Sequence, residues 1–315
     1  MALGAGLLGC AACSASADTD PAVEQVGEQM AQPRLGLMST LPIYWNEAVE
    51  FSDLLNQDQS ANWVRAVLER DYAIEPLDVL TRETLAPLDR LILAQPRALS
   101  PEENVALDDW VRDGGRVIVF ADPMLTRHSE YRLGDPRRPH DVALLSPILA
   151  RWGLDLEMDA SQGDGERMVD AFGISIPVRI AGTFAARDEG GDGECTLSDN
   201  RLMARCTIGQ GGALLIADAA ILDEDDDHAG SHDEDEAGAE HSERQIREAA
   251  LNGILESGFD SCFPVRGNCG SGRSAASCFH NGRPLSDAEA GPETALFRPF
   301  FPIHSQIMRS VRRRA

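Results

Sequence analysis

The sequence contains no lysine, so all 28 of its basic residues are arginines. This absence excludes Schiff-base chemistry, the lysine of a phosphate-binding loop and Ser-Lys dyads. Its seven cysteines include a single Cys-x-x-Cys spacing, Cys10 with Cys13, and the lack of a second such pair argues against a structural zinc site. The 52 acidic residues give a net charge of -24. Such a surface repels phosphate backbones, so we expect no nucleic acid partner.

Long hydrophobic runs are also missing. The apolar N-terminal stretch MALGAGLLGC is too short to span a bilayer. Its order Leu7, Leu8, Gly9, Cys10 resembles the bacterial lipobox, although a basic n-region is absent. We therefore expect a periplasmic lipoprotein with Cys10 as the lipidation site, held at the membrane by its lipid anchor only. A signal peptide without lipidation, or a cytoplasmic protein with a nonfunctional leader, are the alternatives.

The chain is 315 residues long and 43% hydrophobic, which is enough for one large α/β domain. Its pattern alternates buried strands with amphipathic helices and lacks short hairpin links. A helix beginning with the capping box Ser100, Pro101, Glu103 and ending at a glycine pair is the clearest example. The alternation predicts a doubly wound, mostly parallel sheet. We expect a helix over 142–152, and strands of a smaller, irregular β lobe over 174–184.

Two segments of the sequence are nearly alike. Residues 114–125 read GGRVIVFADPML and residues 211–222 read GGALLIADAAIL. We expect two strands of one sheet, with Asp122 and Asp218 near the carboxyl edge where open α/β sheets bind ligands. We favour a structural role for both carboxylates as turn caps. Ligand or cation binding and general acid–base chemistry are the alternatives.

An arginine-rich loop follows the first of these strands, with the sequence RHSEYRLGDPRRPH over 127–140. It contains Arg127 and Arg132, and it is interpreted either as a surface loop that balances local acids or as an anion or partner contact above the sheet edge.

Residues 223–241 form an acidic, low-complexity insertion that contains His228, His232 and His241. So much like charge around small residues predicts a solvated, disordered loop, with metal binding by the three histidines as the weaker alternative. We assign 1–32 to the leader and linker, 33–260 to the α/β domain and 261–315 to an irregular, disordered tail.

Cys195 and Cys206 bracket two short predicted strands around an Asp-Asn turn. That arrangement could close a disulfide, which would suit an oxidising compartment. A set of unrelated reduced thiols is the alternative.

The sequence LSPEENVALDDWVRDGGRVIVFADPML, followed later by GQGGALLIADAAILDED, is similar to the uncharacterised ABC-type transport system domain of gliding-motility auxiliary components. The resemblance covers roughly residues 34–255. It implies a flavodoxin-like sheet related to class I glutamine amidotransferases, located outside the cytoplasmic membrane. It also implies that the permease and ATPase subunits are separate chains.

An amidotransferase of this fold carries a nucleophilic Cys on a strand-to-helix elbow, with a His as base. The corresponding strand ends here read Ala-Asp-Pro around Asp122 and Ala-Asp-Ala around Asp218. We therefore expect a non-catalytic accessory or recognition component without a cofactor, which binds a ligand or protein at the carboxyl edge. An amidotransferase-like hydrolase and a metal-responsive protein are the alternatives.

Overall fold

The computed structural model describes residues 32–45, 47, 62–188, 190–223 and 234–259, with side chains in the last range from Ser242 onward. All of these residues belong to the first of two compact units, Met1–Val265. No described helix is long and apolar enough to cross a membrane.

The strands are β1 (Arg34–Ser39), β2 (Ala73–Pro76), β3 (Arg90–Ala94), β4 (Arg116–Phe120), β5 (Leu154–Met158), β6 (Arg167–Ala171), β7 (Ile174–Val178), β8 (Gly182–Ala186), β9 (Glu194–Leu197), β10 (Met203–Ile208) and β11 (Gly211–Ile216). The helices are α1 (Trp63–Leu68), α2 (Arg82–Leu85), α3 (Pro101–Arg112), α4 (Ser146–Trp152), a 3₁₀ turn η1 (Ala220–Leu222) and α5 (Glu234–Phe259).

The main sheet has seven strands in the order β2-β1-β3-β4-β11-β10-β9. The first five of these strands run parallel to one another. At one side of the sheet β10 pairs antiparallel with β11, and β9 pairs antiparallel with β10. The predicted mixed α/β class with a mostly parallel sheet is therefore confirmed.

The two look-alike segments form the neighbouring parallel strands β4 and β11, in direct register with Ile118 opposite Leu214. Every residue of β11 is buried, as a central parallel strand covered on both faces requires. A Cβ at Gly211 would collide with the carbonyl oxygens of Val111 and Gly115. The glycine that opens this motif is therefore needed for the strand to approach the end of α3.

The capping box that begins α3 is confirmed. The amide of Glu103 donates to Ser100 Oγ at 3.2 Å, and the amide of Ser100 donates to Glu103 Oε2 at 2.8 Å. Gly114 follows the helix with a φ of 119°, a conformation that glycine adopts without strain. The chain then enters β4 directly.

The smaller lobe contains two antiparallel pairs, β5 with β8 and β6 with β7. One boundary prediction was wrong: the helix expected from Val142 begins at Ser146. The preceding residues form no helix, and they lie beside the end of β4, where the amide of Ala143 donates to the carbonyl oxygen of Asp122. Pro147 then lies in the first turn of α4, a position that suits proline.

The disordered insertion predicted over 223–241 differs from the structure at both of its ends. Asp223 is ordered and only 5% exposed. Helix α5 begins at Glu234, so residues 234–241 of the predicted insertion are helical. Glu and Ala in this stretch are strong helix formers, and they extend a helix whose later residues Leu251 and Ile254 are buried. Residues 224–233 and the predicted tail 261–315 lie outside the described residues.

Candidate functional site

The carboxyl edge of the sheet brings together the residues that follow β3, β4 and β11. These are Gln95, Asp122 and Asp218, and their exposed fractions are 0%, 1% and 0%. The predicted proximity of the two aspartates follows from the direct pairing of their strands. Both are buried below the edge, so a ligand lying outside the sheet does not reach either carboxylate in this conformation.

Both carboxylates cap the turns in which they lie. Asp122 Oδ1 accepts from the amide of Met124 at 2.8 Å, and Asp218 Oδ1 accepts from the amide of Ala220 at 2.7 Å. These are the two-residue spacings of Asx turns, and the favoured structural interpretation of the sequence is confirmed.

The second oxygen of each carboxylate binds a different segment. Asp122 Oδ2 accepts from the amide of Ala219 at 3.2 Å, and Asp218 Oδ2 accepts from the amide of Arg179 at 3.0 Å. Asp122 thus joins the ends of β4 and β11, and Asp218 joins β11 to the residue after β7. All four carboxylate oxygens are engaged within the protein.

A third buried acid, Asp223, was missed by the sequence analysis, which placed it in the disordered insertion. Its Oδ1 lies 3.5 Å from Arg127 Nη1, and the charge of Arg247 also acts on it. Arg247 itself is 3% exposed and donates to the carbonyl oxygen of Ala220 at 2.7 Å. Only tertiary packing of η1 and α5 brings these residues together.

We name Asp122, Asp218 and Asp223 the acid cluster. Burial is the main cause that raises the pKa of Asp122 and the pKa of Asp223 to about 6. Burial, followed by the charge of Asp122, raises the pKa of Asp218 well above its usual value. The arginines near Asp223 oppose this effect on its pKa. The fold therefore favours the protonated form of these groups compared with an exposed aspartate.

The structure separates the two loop arginines that the sequence placed together. The Arg127 side chain is 8% exposed and pairs inward with Asp223, whereas Arg132 is exposed. Arg127 therefore does not present its charge at the surface as Arg132 does, and the anion or partner contact considered for this loop stays a prediction. No sequence signal distinguished the two, because their burial depends on the path of the loop.

A cavity of about 370 Å³ lies above the carboxyl end of β1. The chain passes from β1 to β2 on one side and then to β3 on the other, so this is the switch point where doubly wound sheets bind ligands. The sequence did not predict this cavity, because strand order is required to locate a switch point. The side chains that give the cavity its chemistry are those of Tyr44, Trp45, Glu47, Tyr131, Arg137 and Arg138.

The carboxylate of Glu47 is only half satisfied. Its Oε2 accepts from Ser129 Oγ at 3.2 Å and from the amide of Glu130 at 3.0 Å. Its Oε1 is shielded from solvent and has no hydrogen-bond partner. Glu47 lines the cavity, and one oxygen of its carboxylate is left without a partner, although that oxygen is covered in this conformation.

A second cavity of about 540 Å³ lies at the opposite, amino edge of the sheet, lined by Trp110, Asp113 and Gly114 among others. It faces the beginnings of β3 and β4, away from the strand ends that carry ligands in open α/β sheets. Position in the fold therefore favours the smaller cavity as a binding site.

No group of three or more His, Cys, Asp or Glu within the described part of the chain is arranged to hold a metal. His228 and His232 lie outside the described residues, and so does the side chain of His241, whose backbone is part of α5. The metal prediction for these histidines stays a prediction. Cys10 also lies outside the described residues.

Cys195 and Cys206 form a disulfide that joins β9 to β10. The two residues are direct partners across this antiparallel pair. Since β9 is the outermost strand, the disulfide fixes the edge of the main sheet.

Several solved structures resemble this chain at low similarity. A catalytic mutant of the β-galactosidase Gan42B from G. stearothermophilus is 15% identical, with a TM-score of 0.38 over 72% of this chain and 30% of that chain. An exo-β-1,4-mannosidase from Opitutaceae bacterium strain TAV5 is 12% identical, with a TM-score of 0.40 over 73% of this chain and 36% of that chain. A ThuA-like protein from Bacteroides uniformis is 10% identical, with a TM-score of 0.32 over 73% and 94%.

This chain thus spans about a third of the length of the two glycosidases. No curated protein matches it. A family model described as "ABC-type uncharacterized transport system" matches residues 32–166, which include β1 to β4 and the candidate cavity. The resemblance drawn from the sequence is confirmed over residues 32–166, which match the ABC-type uncharacterized transport system family, and its expected extent to residue 255 stays a prediction.

Proposed function

We propose that this chain is a non-catalytic accessory or recognition component of an ABC-type transport system. It acts outside the cytoplasmic membrane and binds a ligand or protein partner at the carboxyl edge of its sheet. The family match supports the association with transport. The observation that carries the recognition role is the cavity above β1, beside strand ends whose acids are buried and bound by backbone amides.

The two strand-end elbows support a role without catalysis. They read Ala121-Asp122-Pro123 and Ala217-Asp218-Ala219, so neither provides a thiol, hydroxyl or imidazole as nucleophile or base. A general base has to reach a substrate proton within hydrogen-bond distance. Asp122 and Asp218 are at most 1% exposed, and their oxygens are already occupied by amides.

The strand order supports the flavodoxin-like assignment that the family resemblance implies. The five parallel strands lie in the order β2-β1-β3-β4-β11. If β11 is counted as the fifth parallel strand, this is the 2-1-3-4-5 order of flavodoxin-like sheets. In such sheets the ligand binds at the strand ends, which is where the 370 Å³ cavity lies.

A partner-crosslinking experiment in cells of the native source tests the function. A photoreactive p-benzoylphenylalanine replaces Arg137, an exposed residue at the cavity, and in the control it replaces Met158, which is 42% exposed on β5. We expect the first variant to crosslink to an ABC permease chain, the subunit that reaches the outer side of the membrane, and the control to fail. The proposal would be contradicted if the variant at position 137 crosslinked to no such chain, or if the control at position 158 crosslinked to it equally well.

The anchor is a separate part of the proposal. Labelling of cells with a palmitate analogue should mark the protein, and Cys10→Ala should abolish the label. Cys13→Ala is the matched control, because it removes a nearby cysteine outside the lipobox-like order. Label that persists in Cys10→Ala would refute lipidation at that residue.

A further inference from the structure

We propose that the cavity above β1 binds a neutral saccharide, hydrogen-bonded by Glu47 and Arg138 and stacked on Trp45. This inference rests on the proposed function, because it names the ligand class of the same sheet edge.

Two unpartnered polar atoms define what the ligand has to supply. Glu47 and Arg138 line the cavity, and neither Glu47 Oε1 nor Arg138 Nε has a hydrogen-bond partner. Both atoms are shielded from solvent in this conformation, so a ligand reaches them only after the two side chains shift toward the cavity. An ionised glutamate only accepts hydrogen bonds and an arginine only donates them. The ligand therefore needs both a donor and an acceptor, and a hydroxyl group provides both. A hydrocarbon would leave the two buried atoms unpaired, at considerable cost.

The charges around the cavity disfavour an ionic ligand. Arg137 is paired with Asp135 at 2.8 Å, and Arg138 lies 3.4 Å from Asp141. An anion would be repelled by Glu47, whose carboxylate has no cationic partner among the described residues. A simple cation would satisfy Glu47 but would offer no acceptor to Arg138. A neutral ligand with several hydroxyl groups meets both demands.

The aromatic side chains supply the apolar part of such a site. Trp45 is 73% exposed, an unusual exposure for so large a ring. The rings of Tyr44 and Tyr131 are each covered on one face by a guanidinium, from Arg65 and Arg137, at 4.3 Å. These two rings are therefore held in place. The Trp45 ring contacts Tyr44 edge to face, with 4.9 Å between the ring centroids, and the rest of its surface is open to a ligand. The C–H face of a pyranose ring is apolar and flat enough to pack on it.

Size and position separate a saccharide from a peptide, whose amide groups also donate and accept. A volume of about 370 Å³ suits a small molecule, because such sites measure about 300 to 1,000 Å³. Extended peptides commonly bind by adding a strand to a free sheet edge. Here the cavity lies over β1, which is already paired with β2 and β3 on its two sides. Among the described strands, none presents a free edge to this cavity.

Titration of the full chain with neutral trisaccharides tests the inference. The probes are cellotriose, mannotriose, galactotriose and chitotriose, followed by tryptophan fluorescence. Trp63 and Trp152 are buried, and Trp110 lies at the opposite edge of the sheet, so a change that Trp45→Ala abolishes reports on Trp45. We expect at least one probe to bind saturably, and calorimetry should show affinity about tenfold weaker in Glu47→Gln, the scale of one hydrogen bond to a charged group. Trp45→Ala should also lose binding, whereas the exposed Glu157→Gln control should bind like the native chain.

Three results would overturn the inference. The first is that no trisaccharide binds saturably, and the second is that Trp45→Ala and Glu47→Gln bind trisaccharides as tightly as the native chain does. The third is that the native chain binds triglycine or acetate but no saccharide. Thermal melts of each variant verify that it is folded. If Glu47→Gln does not fold, the result for Trp45→Ala decides the outcome. Saccharide binding without crosslinks to an ABC chain would leave this inference standing and remove the transport role. Crosslinks without saccharide binding would support the transport role and remove the saccharide inference.

Discussion

Gln95 bonds to both backbone groups of Asp122. Its Oε1 accepts from the Asp122 amide at 2.9 Å, and its Nε2 donates to the Asp122 carbonyl oxygen at 3.1 Å. The same Nε2 donates to the carbonyl oxygen of His140 at 2.9 Å. The side-chain amide thus continues the pairing of β3 with β4 beyond the last strand residues. It also fixes the loop that returns past the strand end.

The backbone of Gln95 is strained, because its φ is 45° and the residue is not glycine. We expect Gln95→Ala to lower the free energy of unfolding by about 2–4 kcal/mol, since it leaves buried backbone groups unpaired. Gln95→Gly removes the same hydrogen bonds but relieves the strain, so it should be less destabilising, by up to about 1 kcal/mol. Urea denaturation measures both. A glycine variant less stable than the alanine variant would contradict a strain at this position.

The acid cluster predicts a stability that falls as pH rises. The folded-state pKa of Asp122 and of Asp223 is raised to about 6, above the unfolded value, so the folded state binds more protons between about pH 4 and 6. Stability contributed by protonation is therefore complete below about pH 4 and is lost as pH increases through this window, by about 1.4 kcal/mol for each unit of pKa shift.

The matched variant for this pH dependence is Asp218→Asn, because the charge of Asp218 acts within the same cluster. Its unfolding free energy should decline less steeply from pH 4 to 6 than that of the native chain. Glu157→Gln, at an exposed position, should retain the native slope. Identical slopes for the native chain and Asp218→Asn would show that the cluster does not control stability.

Glu103 predicts the opposite dependence at lower pH. It binds Arg97 through both oxygens and accepts from the amides of Leu80 and Ser100. The Arg97 hydrogen bonds are the main cause that lowers the pKa of Glu103 to about 2. Its stabilisation is present above the unfolded value of about 4.5 and is lost as pH falls toward 2.

At pH 7, Glu103→Gln should destabilise the protein by about 2–3 kcal/mol, because it breaks a charged pair and leaves buried donors. Glu102→Gln is the control, since Glu102 lies in the same helical turn but is exposed. We expect it to change stability by less than about 0.5 kcal/mol. Chemical denaturation compares the two, and equal losses would refute the specific role of Glu103.

The disulfide predicts a measurable response to reduction. Cys195 and Cys206 are separated by 11 positions, so their link closes a short loop in the unfolded chain. A loop of this size stabilises the native state by about 2–3 kcal/mol. The double substitution of both cysteines by Ala should lower the unfolding free energy by that amount, and dithiothreitol should then have no further effect. Alkylation of Cys206 by iodoacetamide in the folded, unreduced protein would contradict the pairing.

The local sequence was sufficient for several features of the fold. The capping box at Ser100 and Glu103, the glycine pair after α3 and the repeated Ala-Asp strand ends all depend on residues close together in the chain. Such signals act through backbone geometry, which neighbouring residues control directly. For the same reason the sequence anticipated that β4 and β11 would end in aspartates that cap turns.

Tertiary structure alone decided the candidate site. Asp223 and Arg127 are buried because η1 and α5 pack over the sheet edge, and Arg132 stays exposed in the same loop as Arg127. The cavity at Trp45 and Glu47 exists because β2 and β3 lie on opposite sides of β1. Strand order and burial arise from contacts between distant residues, whereas periodicity reports only which face of an element is apolar. The sequence by itself therefore determined the elements and their ends, and the packing of those elements determined which charged groups became buried and where a ligand could lie.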